Sequence, residues 1–178
     1  MADATKPNDD DGTTAPAGRD DGLTHLDERG AARMVEVGDK PVTLRRARAR
    51  ATLRLQPQTV ERLREGSVPK GDVLAVARVA AIMASKRTSE LIPLCHPVQT
   101  SGCDVAFRFD PDGRRLHLEV EVRAADRTGV EMEALTAASI GALTVYDMVK
   151  AIERGAVVEE VLLLEKAGGR SGHWKREA

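Results

Sequence analysis

A few short stretches of this 178-residue chain hold the residue types and spacings that do chemistry. Asp147 and Lys150 stand three residues apart in a segment of helical patterning, so they share one face and can pair. The surrounding Leu143, Val145, Tyr146, Met148, Val149 and Ile152 are apolar. That context predicts a partly buried lysine beside a carboxylate, a couple suited to moving protons; an ordinary helical ion pair is the other reading. Lys70-Gly71-Asp72 precedes a second helix. A lysine there can hold an anion together with the helix amides, or it is a surface lysine next to a cap. Cys95-His96 is bracketed by Pro93 and Pro97. A hydrogen-bonding histidine and a buried thiol explain the pair, since no second metal ligand lies at the usual spacing.

Glu131-Met132-Glu133 falls in the first turn of the longest helix, where the helix dipole favours acidic residues. Lys166 and Arg170, on the run Gly168-Gly169-Arg170-Ser171-Gly172, can close over a polyphosphate; a frayed terminus is the alternative. The run is not a Walker A loop, because it lacks that spacing and precedes no helix. One distance bears on all of these. Glu133 and Asp147 are 14 residues apart, about 21 Å along a helix at ~1.5 Å per residue. One chain can hardly bring both to a small ligand, which predicts a site between two subunits.

The elements that must position these residues follow from periodicity. Leu44 to Leu55 alternates, with alanines and leucines on one face and Arg46, Arg48, Arg50 and Arg54 on the other, and reads as a strand. Its arginine face is either solvated or a ligand or subunit contact. Pro57 opens a short helix to Arg64, stopped by Gly66. Asp72 caps an alanine-rich helix that must end before Pro93. Cys103–Phe109 and Leu116–Val122 alternate around Asp110-Pro111-Asp112-Gly113, a hairpin. Thr128 and Glu131 have capping-box spacing at the start of a helix running to about Arg154, with Gly155 as its stop. Val157 to Leu164 is a last strand. The fold class expected is α+β, a ferredoxin-like antiparallel sheet with helices packed on one side.

Composition narrows the function. Residues 1–22 hold six Asp and no large apolar side chain after Met1, and are expected to be a disordered acidic tail. Residues 23–178 form one domain with 25 Lys and Arg against 22 Asp and Glu, net +3, suited to a small anionic ligand. No segment reaches the ~18 apolar residues of a membrane span, and no signal-peptide core is visible. Four aromatic residues are too few for a base-stacking platform.

Collinear stretches then carry a resemblance. They are Thr24-His25-Leu26, Met34-Val35, Lys70-Gly71-Asp72-Val73, the run from Leu91 to Pro97 (LIPLCHP), the run from Thr128 to Ser139 (TGVEMEALTAAS), Tyr146-Asp147-Met148-Val149-Lys150, and the run from Lys166 to Gly172. From Leu23 onward the chain resembles the MoaC-type cyclic pyranopterin monophosphate synthases of molybdenum cofactor biosynthesis. The resemblance implies a ferredoxin-like subunit in a cytoplasmic homo-hexamer, a trimer of dimers with sites at the dimer interface. It implies a lyase that turns 3′,8-cyclo-7,8-dihydro-GTP, supplied by a radical-SAM GTP cyclase, into cyclic pyranopterin monophosphate and pyrophosphate. By motif, Asp147 and Lys150 match the catalytic pair and Lys70 a second lysine for acid–base steps. Leu94, Cys95 and His96 match one substrate-binding segment, and Glu131, Met132 and Glu133 another. Lys166 matches a lysine near the phosphates and Arg45 a basic phosphate contact. Arg170 stands where lysine is also common, so charge is kept while geometry differs. No cofactor is required on this reading and no metal site is expected, although Mg²⁺ can accompany the triphosphate.

The residues suit that chemistry. Rebuilding a purine-derived ring as a pterin moves several protons, within reach of Asp147, Lys150 and Lys70. Lys166, Arg170 and Arg45 can neutralise phosphate charge, and Glu131 and Glu133 can accept ring N–H bonds. Two other classes remain to be weighed. A non-catalytic nucleotide-binding regulatory domain of the same fold would bind but release no pyrophosphate. An RNA-binding domain would need Phe107 and Phe109 on an open face, whereas their alternation puts them on the face expected to be core.

Overall fold

The computed structural model describes residues 29–177, so the acidic tail expected at 1–22 and the Thr24-His25-Leu26 match lie outside the described residues. Two compact units are present, Met1–Val35 and Glu36–Ala178. Of the first, residues 29–35 are described; they contain a turn at 29–30 and no helix, and Met34 is exposed.

In the second unit the order is β1 (Thr43–Arg54), α1 (Pro57–Glu65), α2 (Val73–Ser85), α3 (Thr88–Leu91), β2 (Thr100–Phe109), β3 (Arg115–Asp126), α4 (Glu131–Val149), β4 (Val157–Ala167) and β5 (Trp174–Lys175). The sheet runs β2-β3-β1-β4-β5, antiparallel throughout. This is the expected ferredoxin-like α+β sheet, with β5 added on the β4 edge.

The alternation in β1 does what period two requires. Ala47, Ala49, Ala51 and Leu53 are fully buried, and Leu116, Leu118, Val120 and Val122 of β3 lie beside them. Small alanines let α4 sit close on the sheet. A Cβ at Gly141 of α4 would lie 2.6 Å from a Leu118 methyl and 3.3 Å from Ala81 of α2, so helix, strand and second helix meet there without a spare methyl's space. Phe107 and Phe109 pack against this core, as their alternation predicts.

The other face of the sheet is a charge ladder. Arg46 and Arg48 converge on Glu165 (2.6 and 3.4 Å), Arg48 also meets Glu119 (3.1 Å), Arg50 meets Glu160 (3.0 Å) and Arg54 meets Glu159 (2.9 Å). The arginines are therefore partnered across strands within the chain. Cross-strand glutamates were the missing information in reading β1 alone.

Local signals held at α1 and α2. Gly66 closes α1 in the left-handed conformation (φ 66°), and the Asp72 carboxylate accepts from the Ala75 amide at 2.9 Å. Two boundaries of α4 differ from expectation. The helix begins at Glu131 after Val130, with no side-chain cap, so Thr128 lies ahead of it and the capping box does not form. It ends at Val149 with Lys150 as C-cap, not near Arg154. Beyond it the chain runs on as a turn in which the Ile152 and Glu153 amides both donate to the Val149 carbonyl (2.9 Å each), and the buried Glu153 carboxylate accepts the Gln56 amide ahead of α1 at 3.0 and 3.1 Å.

Candidate functional site

Helix α4 carries chemistry at both ends. Ahead of its N-terminus lies a cavity of about 470 Å³, whose wall includes Lys40, Arg45, Arg127, Lys166, Arg170 and Glu131. Arginine side chains lace this wall together. Arg45 Nε donates to the Asp126 carbonyl (3.1 Å) and its Nη2 to the Arg127 carbonyl (3.0 Å), while Arg127 Nε donates to the Lys40 carbonyl (3.0 Å). These acceptors are neutral, so the guanidinium charges stay available to an anion. Lys166 Nζ lies 3.1 Å from Glu131 Oε1 and donates to Ser171 Oγ at 2.8 Å.

The glycine run closes the cavity. Gly168 has φ 100°, and a Cβ on it would stand 2.0 Å from the Leu44 carbonyl oxygen; a Cβ on Gly169 (φ 73°) would enter the Arg45 guanidinium. Only glycine permits that approach. The segment lines the cavity and then returns as β5 along β4, so it is a paired strand end and not a frayed one.

Glu133 sits one helical step inside. It is 2% exposed, and its Oε2 has no hydrogen-bond partner among the described residues. Burial pushes its carboxyl up to about 7; repulsion from Glu131 and Asp126 adds to this, and a bond from its own amide opposes it. Cys95 and His96 are half-buried in the turn after α3, with Leu94 more exposed. Burial raises the Cys95 thiol, and Glu133 and Glu131 raise it further, which places this segment beside the acidic first turn of α4 and argues against a thiolate nucleophile. Met132 is half-buried in that same turn.

At the other end of α4, Asp147 stands between two ammonium groups. Lys150 Nζ lies 2.6 Å from Oδ1 and Lys70 Nζ 3.0 Å from Oδ2. Lys70 also donates to the Asp147 carbonyl at 2.8 Å. Hydrogen bonds from Lys150 and then Lys70 hold the Asp147 carboxyl below its usual range, and Asp147 raises Lys150. Two expectations are corrected here. The groups are not partly buried: the Asp147, Lys150 and Lys70 side chains are 56%, 50% and 42% exposed, because the apolar neighbours face the core or, like Leu143, solvent. Nor does Lys70 serve the start of α2; it reaches the carbonyl end of α4, where a cation is favoured.

The structure thus brings Arg45, Lys166, Arg170 and Glu131 to one cavity, with Glu133 two residues further along α4 and within electrostatic reach of Cys95, and Lys70, Asp147 and Lys150 to a second cluster. It does not unite the two. Glu133 and Asp147 lie on one unbroken helix, about 21 Å apart at ~1.5 Å per residue. Lys40 and Arg127 were missed from sequence; Arg127 directly precedes the Thr128-Gly129 run, the one signal that pointed to it. Among the described residues no group of three or more His, Cys, Asp or Glu is placed to hold a metal ion, and no helix is long and apolar enough to cross a membrane.

Fold and site define an α+β protein with a cationic, glycine-closed cavity at one end of a helix and a lysine-flanked carboxylate at the other. The family model described as "MoaC family" matches residues 34–169, and this chain belongs to that family. It is 58% identical over 155 residues to a cyclic pyranopterin monophosphate synthase of Thermomicrobium roseum, covering 87% of this chain and 93% of the relative. It is 56% identical to one of Pelotomaculum thermopropionicum (88% and 92% covered) and 55% identical to one of Chloroflexus aggregans (90% and 98% covered).

Proposed function

We propose that this chain is a lyase that converts 3′,8-cyclo-7,8-dihydro-GTP into cyclic pyranopterin monophosphate and pyrophosphate, an early step of molybdenum cofactor biosynthesis. The observation that carries the reading is the Asp147 carboxylate held between Lys150 and Lys70, on the same helix whose other end meets the cationic cavity.

The roles follow from charge and reach. Asp147, with two ammonium partners, stays a carboxylate near neutral pH and holds both lysines in place. A lysine released from that pair as a proton moves is a general acid or base for ring opening and closure. Arg45, Lys166 and Arg170 neutralise the triphosphate and the leaving pyrophosphate. Glu133, near neutrality in its titration, exchanges hydrogen bonds with the N–H groups of the guanine-derived ring. Leu94, Cys95, His96 and Met132 line that ring, with His96 orienting it. Mg²⁺ would enter with the triphosphate as its counter-ion, and no other cofactor is required.

Two half-sites at opposite ends of α4 also support assembly. In a homo-hexamer built as a trimer of dimers, the Asp147 end of one subunit would complete the Glu133 end of another. Val76, Val79 and Met83 of α2 and Leu143 of α4 are 46–56% exposed, an apolar ridge suited to burial against a second copy. The substrate would come from a radical-SAM GTP cyclase in the cytoplasm; no nucleic acid or membrane enters this scheme.

The test is direct. Purified protein given the cyclic dihydro-GTP intermediate should yield pyrophosphate and the pterin in equal amounts, and Lys150→Ala should lower turnover at least ~100-fold, the usual worth of a general acid–base group. Tight binding with neither product would point instead to a nucleotide-binding regulatory domain. Full activity in Lys150→Ala would remove that lysine from the mechanism.

A further inference from the structure

The cavity ahead of α4 contains an anion of its own. Among the cations of its wall, Arg45 and Arg127 donate to backbone carbonyls, which leaves their charge uncompensated. Lys166 differs: Glu131 Oε1 lies 3.1 Å from its ammonium, and Ser171 Oγ accepts from it at 2.8 Å. The carboxylate reaches this place only because residue 129 has no side chain. A Cβ on Gly129 would stand 1.9 Å from Glu131 Oε2. Glu131 therefore lies folded back over the chain, inside a cavity otherwise built for negative charge, on a cation that also donates to Ser171 of the closing glycine loop.

We propose that Glu131 is an internal competitor for the polyphosphate end of the ligand, and that Lys166 exchanges partners between Glu131 and phosphate oxygens. This rests on the reading under Proposed function and gives Glu131 a task other than accepting ring N–H bonds. When the triphosphate enters, its multiple charge displaces a single carboxylate from Lys166. Once pyrophosphate is cleaved and no longer tethered to the ring, Glu131 returns to Lys166 and repels it. The pairing is only partly shielded from water, with both side chains 27% exposed, so the exchange is cheap in either direction. Glu131 is thus a positioning residue acting through Lys166, and its effect falls on the affinity for pyrophosphate.

The experiment measures pyrophosphate affinity by calorimetry on the assembled full chain at one pH and salt, for wild type, Glu131→Gln, Lys166→Met and the double variant. Glu131→Gln should bind pyrophosphate about tenfold more tightly when Lys166 is present, and within twofold of its background when Lys166 is Met. Gly129→Ala, which keeps every charge and only pushes the carboxylate aside, should shift affinity in the same direction. Its agreement guards against a folding artefact in either variant. Product inhibition by pyrophosphate should strengthen in parallel. Unchanged or weaker binding in both Glu131→Gln and Gly129→Ala overturns the exchange, as does an equal gain with and without Lys166. Wild-type turnover in the same preparation separates the two readings. Turnover without the Glu131 effect defeats this proposal alone; neither turnover nor pyrophosphate binding defeats the assigned function and this proposal with it.

Discussion

Replacing Glu133 by Gln should make the protein more stable above neutral pH and leave it nearly unchanged in acid. The side chain is 2% exposed, with one oxygen unpartnered among the described residues, and burial lifts its carboxyl from 4.5 to about 7. In the unfolded chain this group loses its proton near 4.5; in the folded chain it keeps it until about 7. Between those values the folded state binds more protons, so stability falls as pH rises, and above about 7 the loss is complete. At 1.36 kcal/mol per pH unit the interval corresponds to roughly 3 kcal/mol. Glutamine keeps the shape without the charge, so the advantage of Glu133→Gln over wild type should grow from near zero at pH 4.5 to roughly 3 kcal/mol at pH 8.5. For a chain of this size that is about 6–12 °C in Tm. Urea or thermal unfolding at fixed protein concentration across that range reads it. A difference that stays flat with pH, or one that favours wild type at pH 8.5, would refute a buried carboxyl titrating near neutrality. The same substitution should impair turnover, because it removes the group that faces the ring.

Two further outcomes follow from the geometry. Mixing Glu133→Ala with Asp147→Ala subunits, each nearly inactive alone, should recover part of the wild-type turnover after verified subunit exchange, since one site in a mixed pair regains both groups; no recovery would mean that each site draws both from one chain. Gly168→Ala should cost about 1–3 kcal/mol and raise KM for the substrate, because φ 100° and the Leu44 carbonyl 2.0 Å from the new Cβ force the loop off the cavity; unchanged KM would detach the loop from phosphate binding.

Much of the fold was legible because the signals are local. Alternation over Leu44–Leu55, Pro57 and Gly66 around a short helix, the Asp72 cap and the turn at residues 110–113 each act within a few residues, and each element formed where it was expected. The ends of α4 were not legible. Thr128 and Glu131 have the right spacing for a capping box, but Glu131 turns to Lys166, some 35 residues on, and the helix starts late. Arg154 and Gly155 read as a helix end, but the helix stops at Val149 and the turn beyond it carries Glu153, whose carboxylate accepts the amide of Gln56, just after β1. At the first end a distant lysine holds the carboxylate that the local rule assigned to the cap; at the second a turn follows where the pattern continued the helix.

The site divides the same way. The sequence by itself determined which residue types were present and, through the 14-residue spacing on one helix, that Glu133 and Asp147 cannot meet within a chain, because helix rise is a constant of the backbone. It determined the Asp147–Lys150 pair for the same reason. Only the tertiary structure decided that Lys70 crosses from the α1–α2 loop to the carbonyl end of α4, that Arg127 and Lys40 join Arg45 in the cavity wall, that the arginine face of β1 is met by glutamates of β3 and β4, and that Glu133 is buried enough to hold its proton to about neutral pH. Each of these depends on which distant segments the sheet brings side by side, and on how much water they exclude.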